Sequence, residues 1–418
     1  MLLARRFRFV GEISKDDVFP RVVSLSVILF FIFLGDAILS FWVPNLLQES
    51  FNGNALLMGL VFSFSSVIGL LTDIAFPSLL KSFTVRKLIM WAGILGLSFL
   101  LILMLGAEVP NVSIFLLAMA IWGVYYEFLG FGSQQFIADS VPLKLRPSGW
   151  AILGTFKNLA YFLGPILAGW LLMAGRFALA GVVIAFIVTG IIIVTFVGKK
   201  HRRPISIEIS EVNLWRELGH WKLLFAHVWP IVIISIFLGL IDVTYWTTGV
   251  VWMETLSKES FWGNFLLPAY QMPALFMGFV VARWGIYKGK KKMALRFLIL
   301  ASVFLIMLVF NMPVPLYIVS IFMSSIMLGV TYPLVDTVYS DIVARMGRER
   351  KHLVGLSNST RSIAYIVGPA ISGFITEFLG SKMTFVVIGA ATLIVSIVLF
   401  FITPKKLKLP QEDIKKWE

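Results

Sequence analysis

Seven charged residues lie inside long apolar stretches of this sequence, where an ionised side chain is hard to accommodate. These residues are Asp36, Asp73, Glu127, Lys157, Asp242, Asp336 and Arg361. A charge at the centre of a spanning helix costs about 2.5–3.5 kcal/mol on insertion scales, so such residues face a cavity or a partner. Carboxylates in this setting can bind protons or cations, whereas the bases can neutralise those acids or hold an anion.

Depth along each stretch groups these charges. Asp36 and Asp242 lie at similar depth, slightly beyond the middle of their stretches, and are candidates for binding a proton or a substrate cation. The alternative for each is a hydrogen bond to a neighbouring helix. Lys157 and Arg361 occupy equivalent places, about two turns into their stretches. Glu127 lies close enough to the depth of Lys157 for the two long side chains to meet.

Polar residues near the two bases complete the candidate site. Asp336 has a depth similar to that of Arg361, which predicts an ion pair that is either structural or exchanges partners during function. Asn158, Tyr161 and Tyr365 lie beside the bases and are predicted to line a cavity.

Two further acids end apolar stretches just before basic loops and are predicted to lock the inner side of the protein. These acids are Asp139 and Asp341, and their predicted partners are Lys144, Arg146, Arg345 and Arg348.

The elements that must carry these residues are transmembrane helices. Of the 418 residues, 59% are hydrophobic and only 14% are charged, against roughly a quarter charged in soluble proteins. Twelve stretches approach or exceed the ~20 residues that span a bilayer. They lie at about 22–47, 55–80, 87–107, 112–139, 149–174, 177–198, 226–252, 262–285, 292–312, 314–343, 353–379 and 383–403.

The placement of basic residues predicts the orientation. The net charge of +14 would suggest a nucleic-acid partner in a soluble protein, but here most lysines and arginines fall in alternate loops and both termini. Only Arg176, Lys258 and Lys382 lie in the other loops. This positive-inside pattern predicts a multi-pass protein of the cell or inner membrane, with both termini in the cytoplasm and no nucleic-acid partner.

The chain contains two copies of one unit. FLGDAILSFW (33–42) matches FLGLIDVTYW (237–246), and at the same spacing KNLAYFLGPILAG (157–169) matches RSIAYIVGPAISG (361–373). A basic polar stretch divides the twelve runs six and six. We therefore predict an N-terminal six-helix bundle (1–198), a cytoplasmic linker (199–225) and a C-terminal six-helix bundle (226–418). Parallel repeats of this kind bind substrate near the midplane between the halves.

Six plus six helices, a basic linker and repeated Gly-Pro motifs resemble the major facilitator superfamily. The resemblance implies an all-α membrane fold of two pseudo-symmetric six-helix bundles. The segment beginning Gly164-Pro165 looks like the family's antiporter motif, although Ala168 replaces a glycine. The resemblance also implies gating roles for Asp73 and Arg283, because the family has a motif of glycine, acid and basic residues in a loop of each half. In the first half the motif is Gly69-Leu-Leu-Thr-Asp73 and lacks its basic part. In the second half it contains Arg283, and Ala282 replaces the acid.

These observations predict a secondary active transporter that moves a small organic solute by alternating access. Proton-coupled export of a cationic or amphipathic solute is the leading function. The alternatives are proton-coupled uptake, coupling to sodium, and a sensor that has kept the transporter fold. No cysteine exists, no histidine has metal-ligand spacing, and no phosphate-binding glycine loop occurs, so we predict neither an enzyme nor a metal or cofactor. The protein is expected to act as a monomer in the lipid bilayer.

Overall fold

The computed structural model of the protein describes residues 18–79, 84–142, 146–197, 214–284, 289–345 and 350–404. Helices account for nearly all of this part of the chain. They are α1 (Val18–Ser50), α2 (Ala55–Leu79), α3 (Val85–Glu108), α4 (Val112–Ser140), α5 (Arg146–Met173), α6 (Arg176–Val197), α7 (Leu214–Trp246), α8 (Thr248–Glu259), α9 (Leu266–Gln271), α10 (Met277–Trp284), α11 (Lys290–Ile306), α12 (Val314–Arg345), α13 (Arg350–Leu379) and α14 (Ser381–Ile402).

The predicted helical membrane architecture is confirmed. Within the described residues, eleven helices are long and apolar enough to cross a bilayer. Local signals place several helix ends. Thr84 and Asn111 accept hydrogen bonds from the first free backbone N–H groups of α3 and α4, and Asn54 does the same for α2. Each cap satisfies a donor that has no partner within its own helix.

The eighth predicted stretch, 262–285, is a broken helix rather than a continuous one. It consists of a 3-10 turn at Phe261–Phe265, α9, a second 3-10 turn at Met272–Leu275, and α10. Pro268 and Pro273 explain the interruption, because proline lacks the backbone N–H and its ring crowds the preceding turn. Membrane proteins tolerate such breaks where surrounding helices satisfy the freed backbone groups.

The described residues group into two compact units. One takes in the described residues within 18–43 and 67–197, and the other takes in those within 44–66 and 214–404. The boundary in α1 falls at Pro44, a proline inside the helix. The predicted bundles at 1–198 and 226–418 remain a prediction.

The helix pairing within one unit repeats in the other. In the first unit α3 packs on α4 and α6, and α5 packs on α6. In the second unit α11 packs on α12 and α14, and α13 packs on α14. These are the same positions in each run of six, so the sequence repeat extends to the packing.

The start of α2 packs tightly against α13 inside the second unit. A Cβ added at Gly59 would lie 2.1 Å from the carbonyl oxygen of Pro369, and one added at Gly373 would lie 2.3 Å from that of Ala55. The Glu377 carboxylate accepts a 2.6 Å hydrogen bond from the Ala55 backbone N–H. Glycines therefore allow the helices to touch, and an acid on α13 caps the first turn of α2.

Replacing Glu377 with alanine should destabilise this contact by about 1 kcal/mol, the usual effect of losing a helix N-cap. The carboxylate both satisfies a free N–H and faces the positive end of the helix dipole. The thermal unfolding midpoint in detergent measures the effect. Glu254→Ala is the matched control, because Glu254 forms a solvent-exposed pair with Lys258 one turn along the same helix. Equal midpoints for the two variants would contradict the cap.

The three basic residues predicted to lie outside each have a local polar partner. Arg176 pairs with Glu108 at 2.6 Å, and Lys258 pairs with Glu254 at 2.9 Å. Lys382 donates to the Asn311 side chain at 2.8 Å. The Arg176 and Lys382 contacts join different segments, and the Lys258 contact lies within α8. The side of the membrane on which they lie remains a prediction.

Candidate functional site

Asp36 lies in a cage of three neutral hydrogen-bond donors within the first unit. The Trp122 indole N–H donates to Oδ1 at 2.9 Å, and the Tyr126 hydroxyl donates to Oδ2 at 2.9 Å. The Tyr161 hydroxyl also donates to Oδ2. Asp36 is only 2% exposed, so these donors replace water around the carboxylate.

Three helices position this cage. Trp122 and Tyr126 are one turn apart on α4 and therefore point in the same direction. Phe99 of α3 stacks on Trp122, with ring centroids 4.9 Å apart and planes 6° apart, which holds the indole in place. Tyr161 enters from α5.

The Gly-Pro motif of α5 brings Tyr161 within reach of Asp36. Gly164 lies one turn after Tyr161 and faces α1, where an added Cβ would be 2.4 Å from the Cβ of Ala37. Only glycine permits this approach without a shift of backbone, and Ala37 follows Asp36 directly in the chain. The close contact of α1 and α5 thus sets the distance between the tyrosine and the acid.

Lys157 is the cation beside this cage. Its Nζ lies 5.4 Å from the centroid of the Phe33 ring and 5.7 Å from that of the Tyr161 ring. Both distances fall within the range of cation–π attraction. The ammonium group therefore lies beside the ring of Tyr161, whose hydroxyl donates to Asp36. Asn158, the next residue of α5, is half-buried.

Asp242 forms the corresponding site in the second unit. The Tyr270 hydroxyl donates to its Oδ1, and the Tyr365 hydroxyl donates to its Oδ2. Tyr365 matches Tyr161 in the repeat, and Gly368 matches Gly164. A Cβ added at Gly368 would lie 2.3 Å from Cγ1 of Val243, the residue after Asp242. In both units, therefore, the glycine of a Gly-Pro motif packs against the residue after the acid and brings the tyrosine into contact with that acid.

The broken helix contributes Tyr270 to this second site. Tyr270 lies on α9 and stacks on Tyr245, with centroids 3.8 Å apart and planes 14° apart. Its backbone carbonyl accepts from the Ser325 hydroxyl of α12. The Tyr332 hydroxyl, also on α12, donates to the Leu238 carbonyl at 3.0 Å, one turn before Asp242. Side chains of α12 therefore hold the backbone of α9 at Tyr270 and the backbone of α7 one turn before Asp242.

Glu127 faces α2 rather than the Asp36 cage. A Cβ added at Gly69 would lie 3.3 Å from Oε1 of Glu127, so this glycine makes room for the carboxylate. Asp73 lies one turn further along α2 and is exposed. Of the acids predicted to lie inside the membrane in this unit, Asp36 is caged, Glu127 is half-buried and Asp73 is exposed.

The remaining predicted residues are placed as follows. Asp336 is exposed on α12, and its predicted partner Arg361 has a side chain outside the described part of the structure. Asp341 pairs with Lys290 at the start of α11, at 2.6 Å. The side chains of Asp139 and Arg283 lie outside the described residues, so their gating roles remain predictions.

Three residues of the two sites were not among the sequence-based candidates, namely Trp122, Tyr126 and Tyr270. A signal existed for the first two, since aromatic side chains with polar tips, spaced one turn apart, interrupt an apolar stretch. For Tyr270 the indication was its position between Pro268 and Pro273, where a helix is expected to break.

Comparison with known proteins gives one family and several structural neighbours. A sequence model of the Major Facilitator Superfamily matches residues 25–284 and 262–417. No curated protein matches the sequence significantly.

Solved structures share the fold at low sequence identity. A peptide transporter in complex with sulfate has a TM-score of 0.71 at 13% identity, over 92% of this chain and 94% of that one. The human organic anion transporter MFSD10 (TETRAN) has a TM-score of 0.65 at 14% identity, over 92% and 100%. A bacterial homologue of the human lysosomal transporter Spinster has 0.64 at 12%, over 93% and 97%.

Proposed function

Because the chain belongs to the Major Facilitator Superfamily, a family of secondary transporters, we propose that it couples the movement of a small organic solute to protons. The protein is an integral, multi-pass membrane protein. Solute export in exchange for protons is the direction we propose. Gly164-Pro165 in α5, which resembles the antiporter motif of the family, supports this direction.

One observation carries the proposal of proton coupling, an acid–tyrosine contact in each unit. The two tyrosines are equivalent in the repeat, and the two acids lie two positions apart in its alignment. Asp36 with Tyr161 and Asp242 with Tyr365 lie inside membrane-crossing helices. An acid in this position can carry a proton, because its neutral form is the less costly one in an apolar environment. A tyrosine hydroxyl can serve either form, since it can donate to a carboxylate and accept from a carboxylic acid.

Lys157 supports coupling in the first unit. When Asp36 is ionised, the nearby ammonium group offsets its charge, and a proton on Asp36 removes that attraction. The lysine is then able to move relative to Phe33 and Tyr161. Glu127, in its place against Gly69 of α2, is the second candidate proton carrier in this unit.

Purified protein in liposomes that contain a pH-sensitive dye tests the proposal. A panel of cationic, neutral and anionic solutes is applied with an imposed pH gradient. We expect one solute class to drive proton flux, and we expect the double variant Asp36→Asn, Asp242→Asn to reduce this flux to that of protein-free liposomes. The matched control is Glu108→Gln, Glu254→Gln, which removes two surface acids that each pair with a nearby base.

The sign of the flux separates export from uptake. Proton entry against solute exit supports antiport, and joint entry supports symport. If no solute in the panel moves protons, proton-coupled transport is wrong for this chain. A repeat of the assay with a sodium gradient then separates sodium coupling from a non-transporting sensor.

A further inference from the structure

The two acid–tyrosine sites differ in exposure although their tyrosines, Tyr161 and Tyr365, are equivalent in the repeat. Asp36 is 2% exposed and Tyr161 is also buried, whereas Asp242 is half-buried and Tyr365 is 37% exposed. We propose that the two units divide the work, so that Asp36 binds only the coupling proton and Asp242 binds the charged group of an organic cation. This inference rests on the proposed function and names the substrate class of its site.

The Asp36 cage is suited to a proton and to nothing larger. Three donors from α4 and α5 cover the two carboxylate oxygens, and the side chain has almost no accessible surface. An organic ligand would have to displace Trp122 or one of the tyrosines. A proton needs no such space, because it binds one carboxylate oxygen while a tyrosine hydroxyl turns from donor to acceptor.

The charged and titratable groups that face this cage are few within the described residues. Lys157 of α5 is the cation, and Tyr125 and Tyr126 of α4 and Tyr161 of α5 are the phenols. Phenols are neutral at physiological pH. Lys157 therefore supplies the charge that attracts ionised Asp36, and a proton bound to Asp36 removes that attraction.

The Asp242 site is suited to an organic cation. The Tyr270 and Tyr365 hydroxyls donate to the carboxylate, which is half-buried, and Tyr365 is itself exposed. The stacked pair Tyr245 and Tyr270 forms a fixed wall behind the acid. A quaternary or protonated amine, or a phosphonium ion, gains both the carboxylate charge and the face of the Tyr365 ring.

The test measures binding of tetraphenylphosphonium and of its isosteric anion, tetraphenylborate, to the purified protein by calorimetry, with empty micelles as background. We expect the wild type to prefer the cation. Asp242→Asn should weaken binding of the cation about tenfold or more, because it removes the attraction between the phosphonium charge and the carboxylate. The surface control Glu254→Gln should leave this affinity unchanged.

Tyrosine variants keep the proposal testable if Asp242→Asn does not fold. Tyr365→Leu removes the ring face and should weaken binding of the cation more than Tyr365→Phe, which keeps it. Asp36→Asn should keep the preference for tetraphenylphosphonium while it loses proton flux in liposomes. The division of roles is wrong if Asp36→Asn and Asp242→Asn weaken binding equally, or if the wild type fails to prefer the cation.

Proton-coupled transport and a cationic substrate are contradicted by different results. If a neutral or anionic solute drives proton flux through the wild type, coupled transport stands and the cationic substrate class is wrong. If no solute drives proton flux, the coupling itself is wrong whatever the binding data show.

Discussion

Asparagine at position 36 is expected to abolish solute-driven proton flux in liposomes. The amide has the shape of the carboxyl group but cannot take up a proton, and Asp36 is the fully caged acid of the first unit. Flux should fall to that of protein-free liposomes. Since the amide oxygen can still accept from one or two of the three donors, the variant should fold, and its thermal unfolding midpoint is measured first.

Graded variants around Asp36 separate proton binding from general damage to the cage. Tyr161→Phe removes one donor to the acid and should slow the flux without abolishing it. Tyr125→Phe is the matched control, because the Tyr125 hydroxyl is buried in the same region and has no hydrogen-bond partner among the described residues. Removing that hydroxyl should be neutral or stabilising. Equal losses of flux in the two tyrosine variants, or full flux in Asp36→Asn, would contradict the assignment.

Alanine at position 164 is expected to destabilise the protein and to disrupt the proton site at the same time. The added Cβ would lie 2.4 Å from the Cβ and 2.9 Å from the carbonyl carbon of Ala37, so α1 and α5 must move apart. Overpacking of this kind costs about 1–3 kcal/mol. The separation also draws Tyr161 away from Asp36, so both the unfolding midpoint and the proton flux should fall.

Gly169 provides a matched control on the same helix. Apart from the backbone of its own helix, no heavy atom of the described residues lies within 4 Å of a Cβ added there. Gly169→Ala should therefore only gain the higher helix propensity of alanine, about 1 kcal/mol. The two substitutions are chemically identical and lie less than two turns apart. A lower midpoint for Gly169→Ala than for Gly164→Ala would show that the α1–α5 contact is not as close as described.

The internal repeat made half of the candidate site predictable from sequence. The matched segments around Tyr161 and Tyr365 placed a tyrosine and a Gly-Pro motif at equivalent positions, and the cost of burying a charge singled out Asp36 and Asp242. The structure joins these residues into two acid–tyrosine contacts. Such a prediction works because repeated packing requires repeated small residues, and these persist in the sequence.

The other half of the site depends on contacts between helices that are distant in sequence. Trp122 and Tyr126 reach Asp36 from α4, and Tyr270 reaches Asp242 from the broken helix. A hydropathy pattern reports which residues are apolar but not the rotation of one helix against another. An aromatic residue in an apolar stretch therefore has no assigned neighbour until the helices are packed.

Sequence alone determined the membrane class, the helical architecture and the repeat, because the bilayer requires apolar stretches of fixed length whose backbone groups are satisfied within each helix. It also revealed which acids would be costly to bury. Only the tertiary structure decided that the eighth stretch breaks at its prolines and that the acid in one unit is fully caged while its counterpart is partly open. Those features arise from the distances between helices, which depend on single glycines and on side chains that meet across the bundle.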